Sequence, residues 1–571
     1  MNDNIPVPTP AQAHDPSGTG LENGDQVIES KSDESEAHDQ TVLHVTDSYF
    51  REALSAKKTR TAKSRENQQM YLGHQDFSHK QAGQSAEFIP MVPLAVEQFS
   101  GFVKKALIDY GDWFDVDVDG ELPITDNEIR SIILNQFNTM SRCEEGRNDL
   151  PVVIADGVKS AQLHSLMIFK VYGKDFKKKK FHVERGSEFK RHTLPSGADQ
   201  IVEVPKYNIQ RKEKSYWHLC VDAVNTEDYY PDPTGRNLYK IHRVERDLWE
   251  IEALAEAGIY NPEVVEKIKN DFTEFEKKTQ EALDANQDTS VTPDFRRRAV
   301  IDECWGHLLD ANGRIWKTDQ VWARANEKYL IREPEDIPFW HGQDPFVVAP
   351  LIRVPFSVWH KALADHSVPL NIAYNELFSL MLDGGLASVH GIKQLRTEYM
   401  ERPEDASGGI PQGMTIAVKS EMPADVKVLE TVSTGTIPPD AQIMLNIVKR
   451  EFDQASLMNS IQMGQLPERQ VKATEVVQAS QNNSSLLESI VGDLEQAMEL
   501  LVWKAWNVIL QDMHHIEMKY LKSAVNQQAI LQFAKMTPEE RFVAFQNVNF
   551  KVRGLQATIS RAKDFQKVMA V

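Results

Sequence analysis

An α+β chain of several structural units is what this sequence predicts, and three observations carry the prediction. Helical periodicity dominates the flanks, in runs such as Leu94–Tyr110, Asp126–Arg142 and the stretch from Thr474 toward Asp512. Strand-like alternation and turn signals crowd the middle, from His182 to Tyr230 and from Arg296 to Pro355. At 571 residues the chain exceeds one hydrophobic core and suggests about three or four units, with 41% apolar residues to fill them.

Taken in order, residues 1–42 are rich in Pro, Ser, Gly, Asp and Glu and lack hydrophobic periodicity, which predicts a disordered N-terminal tail. Asp47 to Leu72 follows as an amphipathic helix with a basic polar face. After the first two helical runs named above, a third covers Asp156–Val171, and "WFDVDVDGE" alternates with period two between helices. "QIVEVPKYNI" and "YWHLCVDAV" predict a small sheet.

Two helices come next, Arg246–Asn261 stopped at Gly258 and another opening at Pro262 near N1. The strand-rich insert turns as a hairpin about Asn312-Gly313. "HSVPLNIAYNELFSLMLDGG" predicts a helix from His366, with Ser367 as cap and Gly384 as stop. A Gly/Pro-rich β segment spans Pro403–Pro439, and a helix runs to about Met458. After the breakers and basic residues of "GQLPERQVK", a long helix from Thr474 to Asp512 would measure about 55 Å at 1.5 Å per residue. The last 60 residues read as mainly helical with one strand, "NVNFKVRG".

Eighty-four acidic against 64 basic residues give a net charge of −20, which excludes nonspecific coating of nucleic acid except by locally segregated basic groups. Cys143, Cys220 and Cys304 lie far apart with no CxxC pair, as reduced structural thiols do. No secretory signal pattern opens the chain and no window approaches 18 apolar residues, so a soluble protein made in a cytoplasm, without a membrane, is expected.

Catalytic signatures are missing: no GxxxxGK(S/T), no GxGxxG after a strand, no HExxH, no GxSxG. The nearest approach to a metal site is "DVDVDGELPITD", which spaces Asp115, Asp117, Asp119 and Gly120 as a calcium loop would but closes on Asp126, too short to reach bidentately. An alternating strand ending in a turn describes the same residues and is the better reading.

The basic run Lys174–His192, with Phe176 and Phe181 interleaved, reads first as a solvated loop and second as a contact for nucleic acid or an acidic partner. Arg296, Arg297 and Arg298 stand at the mouth of the strand-rich insert as candidate partner contacts. His514 and His515 are adjacent, not i, i+4, and read as solvated or capping groups. Trp503 and Trp506 share a helix face with Leu494, Met498 and Leu501, a stripe that packs either within one subunit or between subunits.

The order of these elements resembles the portal (head-to-tail connector) proteins of tailed bacteriophages, above all the short-tailed type. Specific text supports it over Thr46–Asp564: "DPTGRNLYKIHRVERDLWEIEALAEAGIYN", the helix at His366–Gly385, and "RQVKATEVVQASQNNSS" at the start of the long helix. The resemblance implies a wing (43–261), a first stem helix (262–290), a clip insert (291–356), a second stem helix (357–385), a wing return with channel loop (386–512, the loop at about 458–472 as first choice and Arg402–Gly413 as second) and a C-terminal helical region or short crown (513–571).

It further implies no enzymatic activity and no cofactor. It implies a homo-oligomeric ring, a dodecamer, in the virion at the capsid portal vertex. Double-stranded DNA passes through such a ring, the large terminase docks on it, tail adaptors follow, and major capsid and scaffolding proteins surround it. On that footing Arg469 and Lys472, then Lys419, are the DNA-channel candidates. Trp503, Trp506, Leu377 and Leu380 are the subunit-packing candidates. Two alternatives use the same composition: a helical structural scaffold binding calcium at 115–126, and a metal-dependent nuclease with dispersed carboxylates.

Overall fold

The structure is a computed structural model that describes residues 24–108, 113–118, 124–143, 149–193, 199–270, 297–310, 312–390, 392–406, 415–423, 426–432, 439–456, 473–513, 531–533 and 535–552. The chain is α+β and divides into two compact units, one of Met1–Phe50 with Val244–Glu335 and one of Arg51–Arg243 with Asp336–Val571. The divisions fall within helix α1 (Gly24–Tyr71), within strand β5 (Tyr239–Asp247) and before Asp336, the last residue of β8 (Tyr329–Asp336).

In the first unit, β6 (Arg298–Leu309), β7 (Ile315–Ala325) and β8 (Tyr329–Asp336) follow β5 in that order across the sheet. The expected hairpin about Asn312-Gly313 forms: the Asp310 carboxylate accepts from the Asn312 and Arg314 amides at 2.9 and 2.8 Å, and Gly313 takes φ +76°. Asn326 and Glu327 turn β7 into β8 with φ of 50° and 61°. Every residue from Gln320 to Ala325 is buried, because both faces of β7 are covered. One face meets α5 (Leu248–Glu256) and α6 (Pro262–Asn270) through Ile251, Val265 and Ile268. On the other, the Trp322 indole donates to Thr46 Oγ1 of α1 at 2.8 Å.

The second unit is built on a sheet of order β3-β2-β9, from β2 (Leu166–Thr193), β3 (Asp199–Ala223) and β9 (Phe346–Pro350). Against it pack α2 (Met91–Ile108), α3 (Asp126–Cys143), α4 (Leu150–His164) and the long α9 (Ala473–Asp512), which share one core. A second ladder pairs β1 (Phe114–Val118) with β12 (Val548–Val552), from Phe114↔Val552 to Val118↔Val548. Short α10 (Pro538–Phe545) enters through a capping box between Thr537 and Glu540. β4 (Tyr229–Pro231) pairs with the near end of β5, and β10 (Ile392–Leu395) with β11 (Leu429–Val432). A satellite core joins α1, α2, α4, α7 (Ala364–His390) and α8 (Pro439–Ala455) through Met70, Val96, Leu163, Val368 and Phe452.

Five expectations need correction. Residues 24–42 are helical rather than disordered. The Pro/Gly breakers end at Gly24, none interrupts the chain from there to Leu72, and buried Val42, Val45, Tyr49 and Phe50 anchor the helix. The helix expected over Asp156–Val171 stops at His164, because Ser165 sits at φ 91° and "LMIFKV" enters the sheet. The basic run Lys174–His192 is strand, within β2, rather than loop. The helix expected to stop at Gly384 runs from Ala364 to His390, and Ser367 lies inside it; Asp365 takes the capping role by accepting from the Ala362 amide at 3.0 Å. The strand-rich insert was drawn to 356, yet Phe346–Pro350 pairs with β2, from Leu166↔Pro350 to Lys170↔Phe346.

The long helix matches its expected Thr474–Asp512 span to within a residue. The first stem helix is described only to Asn270; residues 271–290 lie outside the described residues.

Candidate functional site

The second unit fixes its helices with buried charge and polar ladders. Lys504 of α9 donates to the backbone carbonyls of Asp344 and Phe346 at 2.6 and 2.7 Å, and the Asp344 carboxylate receives Lys240 at 2.6 Å. Burial lowers the Lys504 ammonium to about 8 despite Asp344. Burial pushes the Asp344 carboxyl up, but Lys240 and Lys504 outweigh it and hold it below its usual value. Beside them His341 is lowered to about 4 by burial and by the Lys504 charge, so it is neutral at pH 7 and stacks on Phe339 with centroids 5.2 Å apart.

Two nodes on α1 do similar work. Lys57 donates to the Glu227 and Tyr229 carbonyls at 2.6 and 3.0 Å and lies 3.8 Å from the centroid of the Tyr230 ring; burial lowers it to about 7. Arg60 grips Asp365 with two bonds of 2.6 and 2.9 Å, and Asn67 donates to the same carboxylate at 2.8 Å. Burial raises the Asp365 carboxyl, and these donors bring it below its ordinary value.

A polar ladder that sequence reasoning missed runs along α7. Asn371, Asn375, Ser379 and Asp383 recur at i+4 and so form one stripe. Their oxygens accept from the amides of Val92, Ile89, Glu87 and Ser85 at 3.0, 3.1, 3.3 and 2.8 Å. The segment leading into α2 is thereby pinned, rung by rung, to α7. The signal was the four-residue spacing of short polar residues in an otherwise apolar helix.

Each candidate residue has a place. Trp506 is 1% exposed, between Phe533, Phe545 and Phe550, and its indole donates to the Phe545 carbonyl at 3.4 Å. It packs within the chain, so it is corrected from a subunit contact to a core residue. Trp503 is half-buried beside His341. Leu377 is half-buried and Leu380 is 61% exposed. Arg298 pairs with Asp247 at 3.0 Å and Glu245 at 3.7 Å, and the Arg297 carbonyl accepts from Leu248. Lys419 donates to the Glu398 carbonyl at 3.0 Å. Arg296, Arg469, Lys472, Asp119, His514 and His515 lie outside the described residues.

The described part of the calcium-loop candidate, Asp115, Asp117 and Asp126, is strand and helix start rather than loop. Asp115 and Asp117 stand on β1 opposite Lys551 and Asn549, Asp115 pairs with Arg130 at 2.8 Å, and Asp126 opens α3. An extended ladder cannot wrap a cation, and among the described residues no group of three His, Cys, Asp or Glu could hold a metal. Cys220 and Cys304 are buried and outside any disulfide, and among the described residues no helix is long and apolar enough to cross a membrane.

Basic charge also gathers along the β2–β3 ribbon. Its register runs unbroken from Phe169↔Ala223 to Thr193↔Asp199. Between Lys174 and Tyr216 stand twelve basic and six acidic residues, net +6, in a chain of −20. Lys178 faces Lys214 and Lys180 faces Lys212 in register. The foot is marked by Gly173, where an added Cβ would meet the Trp217 ring at 2.7 Å. No family model matches the chain, and no curated protein matches it.

Proposed function

We propose that this chain is the portal subunit of a short-tailed bacteriophage, twelve copies forming the ring at the unique capsid vertex through which double-stranded DNA is packaged and ejected. The observation that carries the reading is the course of the chain. The second unit is interrupted after Arg243 by the strand-rich segment Val244–Glu335, resumes at Asp336, and continues through α7 to the 40-residue α9. Counted from α6, the elements run helix, strands β6–β9, α7 and then the long α9, an order that supports the resemblance to portal proteins.

Self-association is supported by apolar side chains left in solvent. Leu380 of α7 and Ile443, Met444 and Ile447 of α8 are 45–61% exposed, and the two helices pack together. Such a patch fits a heterologous interface that closes into a ring after a fixed rotation.

In this reading the chain does no covalent chemistry. The large terminase docks on the strand-rich clip and supplies ATP hydrolysis during packaging, and tail adaptors later occupy the same end. The acidic balance suits a conduit, because each neutralised phosphate adds salt-dependent attraction that would resist sliding. Basic groups confined to a short loop, Arg469 and Lys472, would guide DNA without trapping it.

Negative-stain microscopy of the purified full chain tests this. Annular particles with a central hole are expected; a monodisperse compact monomer across protein concentrations refutes the reading.

A further inference from the structure

We infer that the β2–β3 ribbon is an arm that docks on a second copy of this chain. Beyond its foot at Gly173, twenty rungs run from Lys174↔His218 to Thr193↔Asp199, about 60 Å at 3.3 Å per residue. Its last pairing with β9 is Lys170↔Phe346, and among the described residues no third strand joins it further out. A two-stranded ribbon by itself is marginal in water, so one of this length needs a surface to lie on.

The identity of that surface follows from two properties that differ along the arm. Nearer the foot, like charges stand opposed: Lys178↔Lys214 and Lys180↔Lys212 occupy rungs two apart, hence one face. Opposed like charges destabilise a ladder unless something negative covers them. Farther out the other face mixes apolar with polar residues, with Val183↔Ile209, Arg185↔Tyr207 and Ser187↔Pro205 on alternate rungs. Tyr207 and Ile209 are 57% and 62% exposed.

A duplex would satisfy the lysines but not the exposed Tyr207 and Ile209, since groove readout is largely polar. An acidic protein surface with apolar content satisfies both. Outside the arm this chain carries −26, the complement of the arm's +6. The inference rests on the ring-forming reading, since it needs a neighbour, but it names a contact that reading does not.

The test places p-benzoylphenylalanine at position 209 of the full chain and irradiates the purified protein, with microscopy on the same sample. A light-dependent covalent dimer is expected, the attached peptide mapping outside residues 166–223 of the second copy. Combining Lys178→Glu, Lys180→Glu, Lys212→Glu and Lys214→Glu should reduce that dimer about tenfold, as charge complementarity governs such association.

Annular particles without a crosslink between copies overturn the arm and leave the ring. A crosslink in non-annular oligomers keeps the arm and overturns the portal. A 30-base-pair duplex shifted by the wild-type chain, released by the four substitutions, without a crosslink between copies, overturns the arm in favour of nucleic acid. Position 209 is exposed, so the probe leaves the fold intact, and near-UV circular dichroism checks the lysine variant.

Discussion

Removing Asp302 tests how the first unit holds its sheet. Asp302 of β6 and Arg324 of β7 stand directly opposite in register, 1% and 0% exposed, with Nε donating to Oδ2 at 2.8 Å. The guanidinium also lies 3.7 Å from Asp47 and 5.3 Å from the centroid of the Phe50 ring. Asp302→Ala leaves a buried cation with only a part-exposed carboxylate at longer range, and stranding one partner of a buried pair costs about 3–5 kcal/mol. At about 1.4 kcal/mol per power of ten, amide hydrogen exchange across β6 and β7 should accelerate by roughly two to three and a half orders of magnitude. Exchange with mass spectrometry resolves these strands from the second unit, which should not change. Replacing both partners, Asp302→Leu with Arg324→Met, should return exchange to within about tenfold of wild type, since apolar pairs of similar volume substitute well for buried ions. If Asp302→Ala accelerates exchange less than tenfold, the pair is not what fixes the hairpin and the reasoning fails.

Lys57 and Lys504 predict a pH dependence of the second unit. In the folded chain they titrate at about 7 and 8 and in the unfolded chain at 10.5, so between those values unfolding takes up protons and stability rises with pH. A gain of about 1–3 kcal/mol from pH 7 to 9 should appear in the urea midpoint, and a flat or falling midpoint contradicts it. Gly157→Ala and Gly492→Ala should move stability in opposite directions. A Cβ at 157 meets the Phe169 ring at 2.5 Å and costs about 1–3 kcal/mol, whereas one at 492 meets nothing within 4 Å and gains up to about 1 kcal/mol of helix propensity; calorimetry of both decides. On the portal reading, Arg469→Glu with Lys472→Glu should leave rings intact in negative stain while lowering DNA packaged per capsid, and unaltered packaging counts against these two as channel residues.

The helical part of the fold was legible because burial of one face writes a 3.6-residue period, as in α3 and α9. The turns about Gly258 and Gly313 were legible because both take left-handed φ, +76° each, which glycine adopts without strain. The ribbon was not: "FKKKKF" carries the composition of a loop, and the described residues 186–188 and 206–209 are all exposed, so no buried face writes an alternation there. The pairing of β1 with β12 joins residues more than 400 apart, and only the tertiary fold supplies that contact. α7 hid its length because Gly384 and Gly385 are continued by a helix whose rotation is already fixed by the Asn371–Asp383 stripe.

In the proposed ring, that stripe would set how α7 meets a neighbour. Apolar packing alone lets a helix slide or roll by a fraction of a turn at small cost, whereas hydrogen bonds to backbone amides are directional and weaken steeply off axis. Four rungs at i+4 fix both the rotation and the height of α7. Leu380, 61% exposed, is therefore presented at a set angle rather than averaged over several. A ring closes only if each subunit repeats the same rotation to its neighbour, and an error of a few degrees per interface accumulates around the circle. In the proposed ring, a helix that offers Leu380 on one side and is pinned through backbone hydrogen bonds on another would meet that requirement with one element. Replacing the stripe by leucines would keep the burial and lose the angle.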